Sequence, residues 1–314
     1  MTPSVTVVIP TLNGSRWLPA SLRSLRSQNY EGPTEILVID SSSDDATRAI
    51  LEREAVPHEV IPREEFQHGR TRNLAASLCR TDLVAFLSQD ALPANPFWLG
   101  SLVDGLLETG AVGAYARQIA PSDVHPFQAL NLNRHMPSDE ARERAPRIQP
   151  PLDAETWRNL SPITRLSRIR FDNVSSIVRR DFLMGCPFPE LDFGEDLTWA
   201  RTALFRGQSL AFTPAAEVIH AHAVNREEFS HRVRKAHALA ARLADFRPIS
   251  GPAVLLRRWG GTTRRFWRAL LADTAHGFFW KTTWALAAPY WAWVQMTAMA
   301  RGSRESVYDP PQAP

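Results

Sequence analysis

The chain has 314 residues, of which 44% are hydrophobic and 22% are charged, and its formal net charge at pH 7 is +3. This composition excludes a disordered chain and a small disulfide-held scaffold, and the length suits about two domains or one large α/β unit with additions. Because Cys79 and Cys186 lack a CxxC or Cys/His spacing, we expect neither a zinc site nor a disulfide framework, and a reducing compartment fits best.

The N-terminal sequence MTPSVTVVIP has no charged leader, and Pro10 ends its apolar run too early for a signal peptide. We therefore expect a cytoplasmic protein. Its mildly basic balance, with arginines gathered at 141–180 and 257–268, favours anionic partners such as diphosphates or lipid headgroups.

Short runs rich in β-branched residues alternate with amphipathic helical stretches from residue 5 to residue 87. The predicted strands are VTVVI (5–9), EILVID (35–40), HEVI (58–61) and DLVAFL (82–87). Apolar strands separated by helices predict an α/β fold with a mostly parallel sheet and helices on both faces.

Polar residues come at or just after the ends of three of these strands. They are Thr11 and Asn13, Asp40, and Asp90. Right-handed crossovers bring the carboxyl ends of parallel strands to one edge, and ligands of such sheets bind in the crevice there. A lone Asp before a Pro-containing loop can also simply form a turn, which is the alternative for Asp90.

A second region begins at about residue 112, with strand candidates at 112–120, 173–180, 209–214 and 216–223. Between them, FGEDLTWARTALFRG (193–207) predicts a helix that opens with Gly194, Glu195 and Asp196. The helix dipole favours acids in a first turn, so ordinary capping is the alternative explanation for both acids.

The composition changes after residues 226–246, which read as an amphipathic helix. Five arginines at 257–268 precede the run 282–300, which has no formal charge and contains Pro289. A spanning helix needs about 20 apolar residues, but threonines, Gln295 and Pro289 argue against one. Tryptophan with flanking arginine suits a membrane interface, and packing on the core or across a dimer is the alternative. On a straight helix Trp280, Trp284 and Trp291 fall on one side, which we expect to face the membrane.

Five motifs stand in an order that is shared with a known enzyme family. They are the opening segment VTVVIPTLNGS to DDATRAI (5–50), FQHGRTRNLAAS (66–77), FLSQDALP (86–93), FGEDLTWARTALFRG (193–207) and VIHAHA (218–223). Together they resemble family 2 glycosyltransferases, most of all the rhamnosyltransferase branch. The resemblance implies a GT-A fold with a nucleotide-sugar-binding half (1–111) and an acceptor-binding and catalytic half (112–225). The family motifs stop at residue 223, and it is the composition of residues 226–314 that predicts a helical C-terminal extension, either on a membrane surface or packed on protein.

The resemblance also implies a donor and metal site. The nucleotide-sugar-binding residues it gives are Pro10, Thr11, Asn13, Asp40, His68, Arg72, Gln89 and Asp90. A solvated helix residue is the alternative for Arg72, and a turn or cap for Asp40. Mg²⁺ or Mn²⁺ would be held by Asp90 with His220 or His222, which face the same side of a strand. Ser88 stands where an Asp is common, so one anionic ligand is lost.

By the same resemblance Asp196 is the general base, with Glu195 as the second choice, and a single displacement inverts the anomeric carbon. The expected enzyme is a metal-dependent hexosyltransferase that moves a sugar, with rhamnose suggested, from a nucleoside-diphosphate sugar to a glycan or lipid-linked acceptor. We place it in cell-surface polysaccharide synthesis, peripheral on the inner face of the cell membrane, with no nucleic-acid partner and with a homo-oligomer left open. The rivals are a nucleotidyltransferase, for which PTLNGSRW is a poor phosphate loop, and a nucleotide-sugar-binding scaffold without turnover.

Overall fold

The structure is a computed structural model that describes residues 2–121, 124, 126–135, 145–220 and 225–311. The strands in this part of the chain are β1 (Val5–Thr11), β2 (Thr34–Asp40), β3 (His58–Val60), β4 (Leu83–Leu87), β5 (Leu92–Pro93), β6 (Gly113–Ile119), β7 (Arg147–Gln149), β8 (Ser175–Arg179) and β9 (Leu210–Ile219). The helices are α1 (Leu18–Arg26), α2 (Thr47–Arg53), α3 (His68–Leu78), α4 (Trp98–Thr109), α5 (Pro126–His135), α6 (Ala154–Asn159), α7 (Pro162–Arg168), α8 (Arg180–Gly185), α9 (Glu195–Phe205), α10 (Arg226–Ala244), α11 (Pro252–Ala272) and α12 (Phe278–Glu305).

One sheet contains all of the described strands, in the order β3-β2-β1-β4-β8-β6-β9-β5, with β7 also paired to β9. The pairs among β1 to β4 are parallel, as the alternating pattern predicts. Strand β8 runs antiparallel to both β4 and β6, while β6 and β9 are parallel. The α/β class with a parallel N-terminal half is therefore confirmed, and the second half makes the sheet mixed.

The two strand-like runs at 209–214 and 216–223 form a single strand, β9, up to Ile219. The register between β6 and β9 shifts where Ala116 pairs with Thr213 and Arg117 pairs with Glu217. Pro214 lies inside this shift, and a proline is tolerated there because it has no N–H to give to a ladder. One bulged strand therefore replaces the two that the sequence predicts.

Buried side chains form a hydrophobic cluster on each face of the sheet. Val8 and Phe86 belong to the cluster under α3 and α9, which also contains Trp199. Val7 and Ala85, from the same two strands, belong to the cluster under α1 and α4. Because successive strand residues point to opposite faces, this alternation places helices on both sides, as predicted.

Helices α11 and α12 pack against each other as a hairpin. Pro289 lies inside α12, and because proline has no N–H, the carbonyl of Ala285 lacks its helical donor. Trp267 of α11 donates its indole N–H to this carbonyl at 2.8 Å, and Trp259 donates to the carbonyl of Pro289 at 2.8 Å. None of the helices in the described part of the chain is long and apolar enough to cross a bilayer.

The side of α12 that carries Trp280, Trp284 and Trp291 faces the protein, so the expectation that these rings face a membrane is wrong. All three pack against a cluster that includes Phe127 of α5 and Ala288 of α12. The small side chain of Ala288 lies on this side of the helix, where it leaves room for neighbouring elements to pack closely. The apolar side chains that α12 exposes are different ones.

Candidate functional site

The loops after β1 and β2 are tied together at the sheet edge. Thr11 and Asp40 end these strands and lie side by side in register. The Asp40 carboxylate accepts from the backbone N–H and the hydroxyl of Ser43, and Asp40 is fully buried. Asn13 accepts from the N–H of Asp44 and donates its own N–H to Ser43. Buried Asp40 thus stabilises the loop after β2 through these hydrogen bonds, while exposed Asn13 lies on the surface. The contacts of both residues with a nucleotide stay predictions.

Gln89 joins the loop after β4 to the loop after β1. Its Oε1 accepts from the N–H of Leu12 at 2.9 Å, and its Nε2 donates to the carbonyl of Leu12 at 3.2 Å. Pro10 lies half-buried in β1 opposite Ile39. Gln89 therefore connects the two loops, and both its amide oxygen and its amide nitrogen are hydrogen-bonded.

Asp90 and His220 meet where the short strand β5 pairs with the end of β9. The Asp90 Oδ1 and His220 Nε2 atoms are 3.5 Å apart. On its other side His220 Nδ1 lies 2.8 Å from Oε1 of Gln118, whose Nε2 donates to the carboxylate of Asp172. Since the amide oxygen of Gln118 can only accept, His220 Nδ1 donates in this contact, and Nε2 is the ring nitrogen that faces Asp90. His222, the other predicted ligand, lies outside the described residues.

The carboxylate oxygen of Asp90 and the Nε2 atom of His220, 3.5 Å apart, form an ion pair when the imidazole carries both protons, and both are atom types that bind divalent metal ions. Mn²⁺ accepts both donor types, and an ion that also binds phosphates and water needs only one or two protein ligands. No group of three or more His, Cys, Asp or Glu side chains that could hold a metal was found in the part of the chain that the structure describes. The pair of Asp90 and His220 therefore fits a divalent ion whose remaining ligands come from a diphosphate.

Arg72 and Glu195 form a buried ion pair between α3 and the start of α9. The Arg72 Nη1 and Glu195 Oε1 atoms are 3.0 Å apart, and the two side chains are 6% and 7% exposed. Asn173 Nδ2 donates to the same carboxylate oxygen at 3.3 Å. Arg72 is therefore not a solvated helix residue, and its predicted contact with a nucleotide sugar stays a prediction. His68, whose carbonyl accepts from Arg72, opens α3 with its side chain exposed.

Asp196 has a different environment from its neighbour. Its Oδ2 accepts from the N–H of Asn173 at 3.4 Å, and its Oδ1 accepts from the N–H of Leu197 at 2.7 Å. Burial, followed by the charges of Glu195 and Asp172, raises the pKa of the Asp196 carboxyl well above its ordinary value. A carboxyl with a raised pKa, and with no ion-pair partner among the described residues, suits a general base better than one held by an arginine.

Asp172, Asn173 and Gln118 are functional candidates that the sequence did not single out. Asp172 accepts from the N–H of Val174 at 2.9 Å as well as from Gln118, and burial raises the pKa of its carboxyl. Asp172 and Asn173 lie three and two positions before the first residue of β8, so a search for polar residues near strand ends could have found them. Together these residues connect the Asp90 side of the edge to the Asp196 side.

Gly194 sets the path of the chain into α9. It has a φ of 79°, and a Cβ built there would lie 2.1 Å from Cδ2 of Leu239 in α10. We expect Gly194→Ala to shift the start of α9 and so to lower both the melting temperature and the turnover. Gly110→Ala is the matched control, because Gly110 has a φ of 63° but open space around it. Equal effects of the two changes would show that backbone strain alone, and not the Leu239 contact, fixes this turn.

The sequence model of the family described as Glycosyl transferase family 2 matches residues 6–174, which is more than half of the chain. The chain belongs to this family. It is 28% identical over 233 residues to the O-antigen chain rhamnosyltransferase WbaN of Salmonella anatum, a match that covers 72% of this glycosyltransferase and 69% of the relative. It is also 28% identical to RfbN of Salmonella typhimurium, described in the same words, over 72% of this chain and 69% of that one.

Among solved structures the glycosyltransferase is similar to the mannosyltransferase PcManGT of Pyrobaculum calidifontis in complex with GDP-Man and Mn²⁺. The TM-score is 0.59 at 19% sequence identity, over 97% of this chain and 87% of the other. It is also similar to the glucosyl-3-phosphoglycerate synthase of Mycobacterium tuberculosis with phosphoglyceric acid, with a TM-score of 0.51 at 16% identity, over 76% of this chain and 79% of the other. These likenesses confirm the predicted GT-A-type fold, and the family match removes the nucleotidyltransferase alternative.

Proposed function

We propose that this glycosyltransferase is an inverting, metal-dependent enzyme that uses a nucleoside-diphosphate sugar. The observation that carries the proposal is the continuous set of polar contacts along the strand ends, from Asp90 through His220 and Gln118 to Asp172, next to Asp196. These contacts would give the enzyme a cation-binding pair and a carboxylate base at separate points of one edge. Residues 1–111 would then form the donor half, 112–225 the acceptor half, and 226–314 the extension.

In the proposed reaction the bond between the anomeric carbon and the diphosphate oxygen breaks as the acceptor hydroxyl attacks from the opposite side. Asp196 takes the hydroxyl proton, while Glu195 stays in its ion pair and positions the start of α9. Asp90 and His220 would hold Mg²⁺ or Mn²⁺, which would supply positive charge to the departing diphosphate. PcManGT is described with GDP-Man and Mn²⁺, and the mycobacterial synthase is also described with Mn²⁺ and UDP, which supports this assignment by analogy.

Rhamnose is the sugar that we propose, because two of the similar curated proteins are described as O-antigen chain rhamnosyltransferases. The acceptor would be a glycan or a lipid-linked molecule in cell-surface polysaccharide synthesis. Action on such an acceptor would place the enzyme at the inner face of the cell membrane, with residues 226–314 on the membrane side.

The test is to incubate the purified chain with a panel of nucleoside-diphosphate sugars and Mn²⁺ and to measure the release of nucleoside diphosphate. Release that stops when EDTA removes the metal supports the proposal. Tight binding of a donor without any release, with lipid-linked and free glycan acceptors both supplied, would instead identify a nucleotide-sugar-binding scaffold.

We expect Asp90→Asn to weaken the Mn²⁺-dependent binding of nucleoside diphosphates strongly, because the change removes the carboxylate of the proposed two-residue site. Isothermal titration with UDP, GDP and dTDP, each with and without Mn²⁺, measures this. Asp153→Asn is the control, since Asp153 caps α6 by accepting from Thr156 and has no part in the site. Unchanged Mn²⁺ dependence in Asp90→Asn would remove Asp90 from the metal assignment.

A further inference from the structure

The outer side of α12 carries a stripe of exposed apolar side chains. At about 100° per residue, Phe279, Leu286, Tyr290 and Trp293 fall on one side of this helix. Phe279 is 86% exposed and Leu286 is 79% exposed, whereas Ala288 on the opposite side is fully buried. Contiguous apolar surface of this kind marks an interaction site rather than ordinary protein surface.

Helix α11 extends this stripe. At about 100° per residue, one flank of α11 carries Leu256, Trp267 and Leu271. Leu271 is 82% exposed. Trp267 reaches α12 through its bond to the carbonyl of Ala285. The apolar flank of α11 therefore adjoins the stripe of α12. We call the combined surface the hairpin face, and it comprises Leu256, Trp267, Leu271, Phe278, Phe279, Leu286, Tyr290 and Trp293.

The other exposed flank of α11 is basic. Its exposed arginines are Arg257, Arg258, Arg264, Arg265 and Arg268. Helix α11 contains no acidic residue, and α12 has only Glu305, at its last position. Asp273 in the connecting loop already accepts hydrogen bonds from Ala275 and His276. The hairpin thus combines an apolar face with a row of exposed arginines that has no acidic residue on its own helix.

We propose that the hairpin face lies flat in the headgroup region of an anionic bilayer, with the arginine flank of α11 on the lipid phosphates. Phe279 and Trp293 are separated by about 21 Å along the helix at about 1.5 Å per residue. An interfacial helix of this length buries its apolar side about 5–10 Å deep without spanning the membrane. The face is made of three leucines, two phenylalanines, two tryptophans and one tyrosine, and the three tryptophans that pack inward take no part in it.

This surface also has a direct connection to the site. Phe127 of α5 stacks on Phe266 of α11 with ring centroids 3.8 Å apart, and α5 follows β6, which ends beside Gln118. Docking of the hairpin would therefore hold the carboxyl edge of β6 near the bilayer surface. The inference rests on the proposed lipid-linked acceptor for its purpose, whereas the surface itself is defined without reference to any substrate.

Flotation of the full chain with vesicles tests the proposal. We expect binding to vesicles of phosphatidylcholine with phosphatidylglycerol, and much weaker binding to phosphatidylcholine alone. Phe279→Ser/Leu286→Ser should lower the partition coefficient by at least ~10-fold at any salt concentration. Arg264→Gln/Arg265→Gln/Arg268→Gln should lower it by about 10²-fold at low salt, and by much less at high salt, because salt screens the attraction.

The matched control is Leu107→Ser/Ile163→Ser, which removes two exposed apolar side chains on α4 and α7, away from the hairpin. Thermal melts and Mn²⁺-dependent nucleoside diphosphate binding should stay at the wild-type level in all three variants, which separates a docking defect from unfolding. Failure of the wild-type chain to float, or an equal loss in the control variant, would overturn the inference. So would light scattering that shows a dimer which Phe279→Ser/Leu286→Ser converts to a monomer, because the face would then join two copies. Vesicle binding by a chain that releases no nucleoside diphosphate would count against the proposed function alone.

Discussion

Asp196→Asn should lower turnover by about 10²–10⁴-fold and leave the Mn²⁺-dependent binding of the donor nearly unchanged. The amide keeps the shape of the side chain and one acceptor oxygen, so only one of the N–H groups of Asn173 and Leu197 keeps its partner, and the amide cannot take a proton from the acceptor hydroxyl. Steady-state rates with donor and acceptor varied separately measure the effect. Glu195→Gln is the comparison, and if it alone shows this behaviour, the roles of the two acids are reversed.

The same variant should change the pH dependence in a defined direction. Burial and the nearby carboxylates raise the Asp196 pKa. As the solution is acidified, the turnover of the wild type should therefore begin to fall at a higher pH than it would with an aspartate of ordinary pKa as the base. Because the pKa of this carboxyl is higher in the folded state than in the unfolded state, the folded protein loses stability as the pH rises from the pKa of the unfolded state through that of the folded state. Asp196→Asn should therefore melt at a higher temperature than the wild type at neutral pH, and the difference should shrink in acid. A lower melting temperature for Asp196→Asn at neutral pH would contradict this account.

Arg72→Met should destabilise the fold by about 3–5 kcal/mol, because it leaves the Glu195 carboxylate buried without its cation. It should also raise the Asp196 pKa further, since the Arg72 charge acts to lower that pKa. Denaturant unfolding measures the first effect and the acid limb of the rate profile measures the second. A shift of that limb to lower pH would contradict the electrostatic role of Arg72.

The chain provides its own control for this change. Arg70 lies on the same helix and pairs with Glu190 at 2.7 Å, but both side chains are more than half exposed, at 56% and 53%. Arg70→Met should therefore cost only about 0–1 kcal/mol. The double change Arg72→Met/Glu195→Gln should recover much of the stability, because no charge is then left unpaired. Equal costs for Arg70→Met and Arg72→Met would show that burial does not set the strength of the inner pair.

The sheet edge was predictable because its signals are local. Thr11, Asp40 and Asp90 each follow an apolar run, and the alternation of strand and helix fixes which end of each strand they occupy. The start of α9 was equally visible, since Gly194 and two acids open a helical pattern. The sequence could not decide whether Glu195 or Asp196 is the better candidate for the general base. The choice depends on the ion pair with Arg72, which lies 123 positions away from Glu195 in the chain.

The contacts of Gln118 were out of reach for the same reason. Its partner Asp172 is 54 positions away and its partner His220 is 102 positions away, and no local pattern encodes either pairing. The inward turn of Trp284 and Trp291 has a different cause. Helical periodicity shows which residues share a side of α12, but the packing of α5 and α11 decides which side meets water.

The hydrogen bonds between Gln89 and Leu12 affect how the loops after β1 and β4 can move. Its amide grips both backbone groups of Leu12, and Gln89 is covalently joined to Asp90. A nucleotide that displaces the loop after β1 must pull on the Asp90 backbone, or else break two hydrogen bonds. Asp90, which we propose as a metal ligand, is thus linked through Gln89 to the loop that we propose as the nucleotide site. We therefore expect a donor that moves this loop to move the Asp90 carboxylate as well.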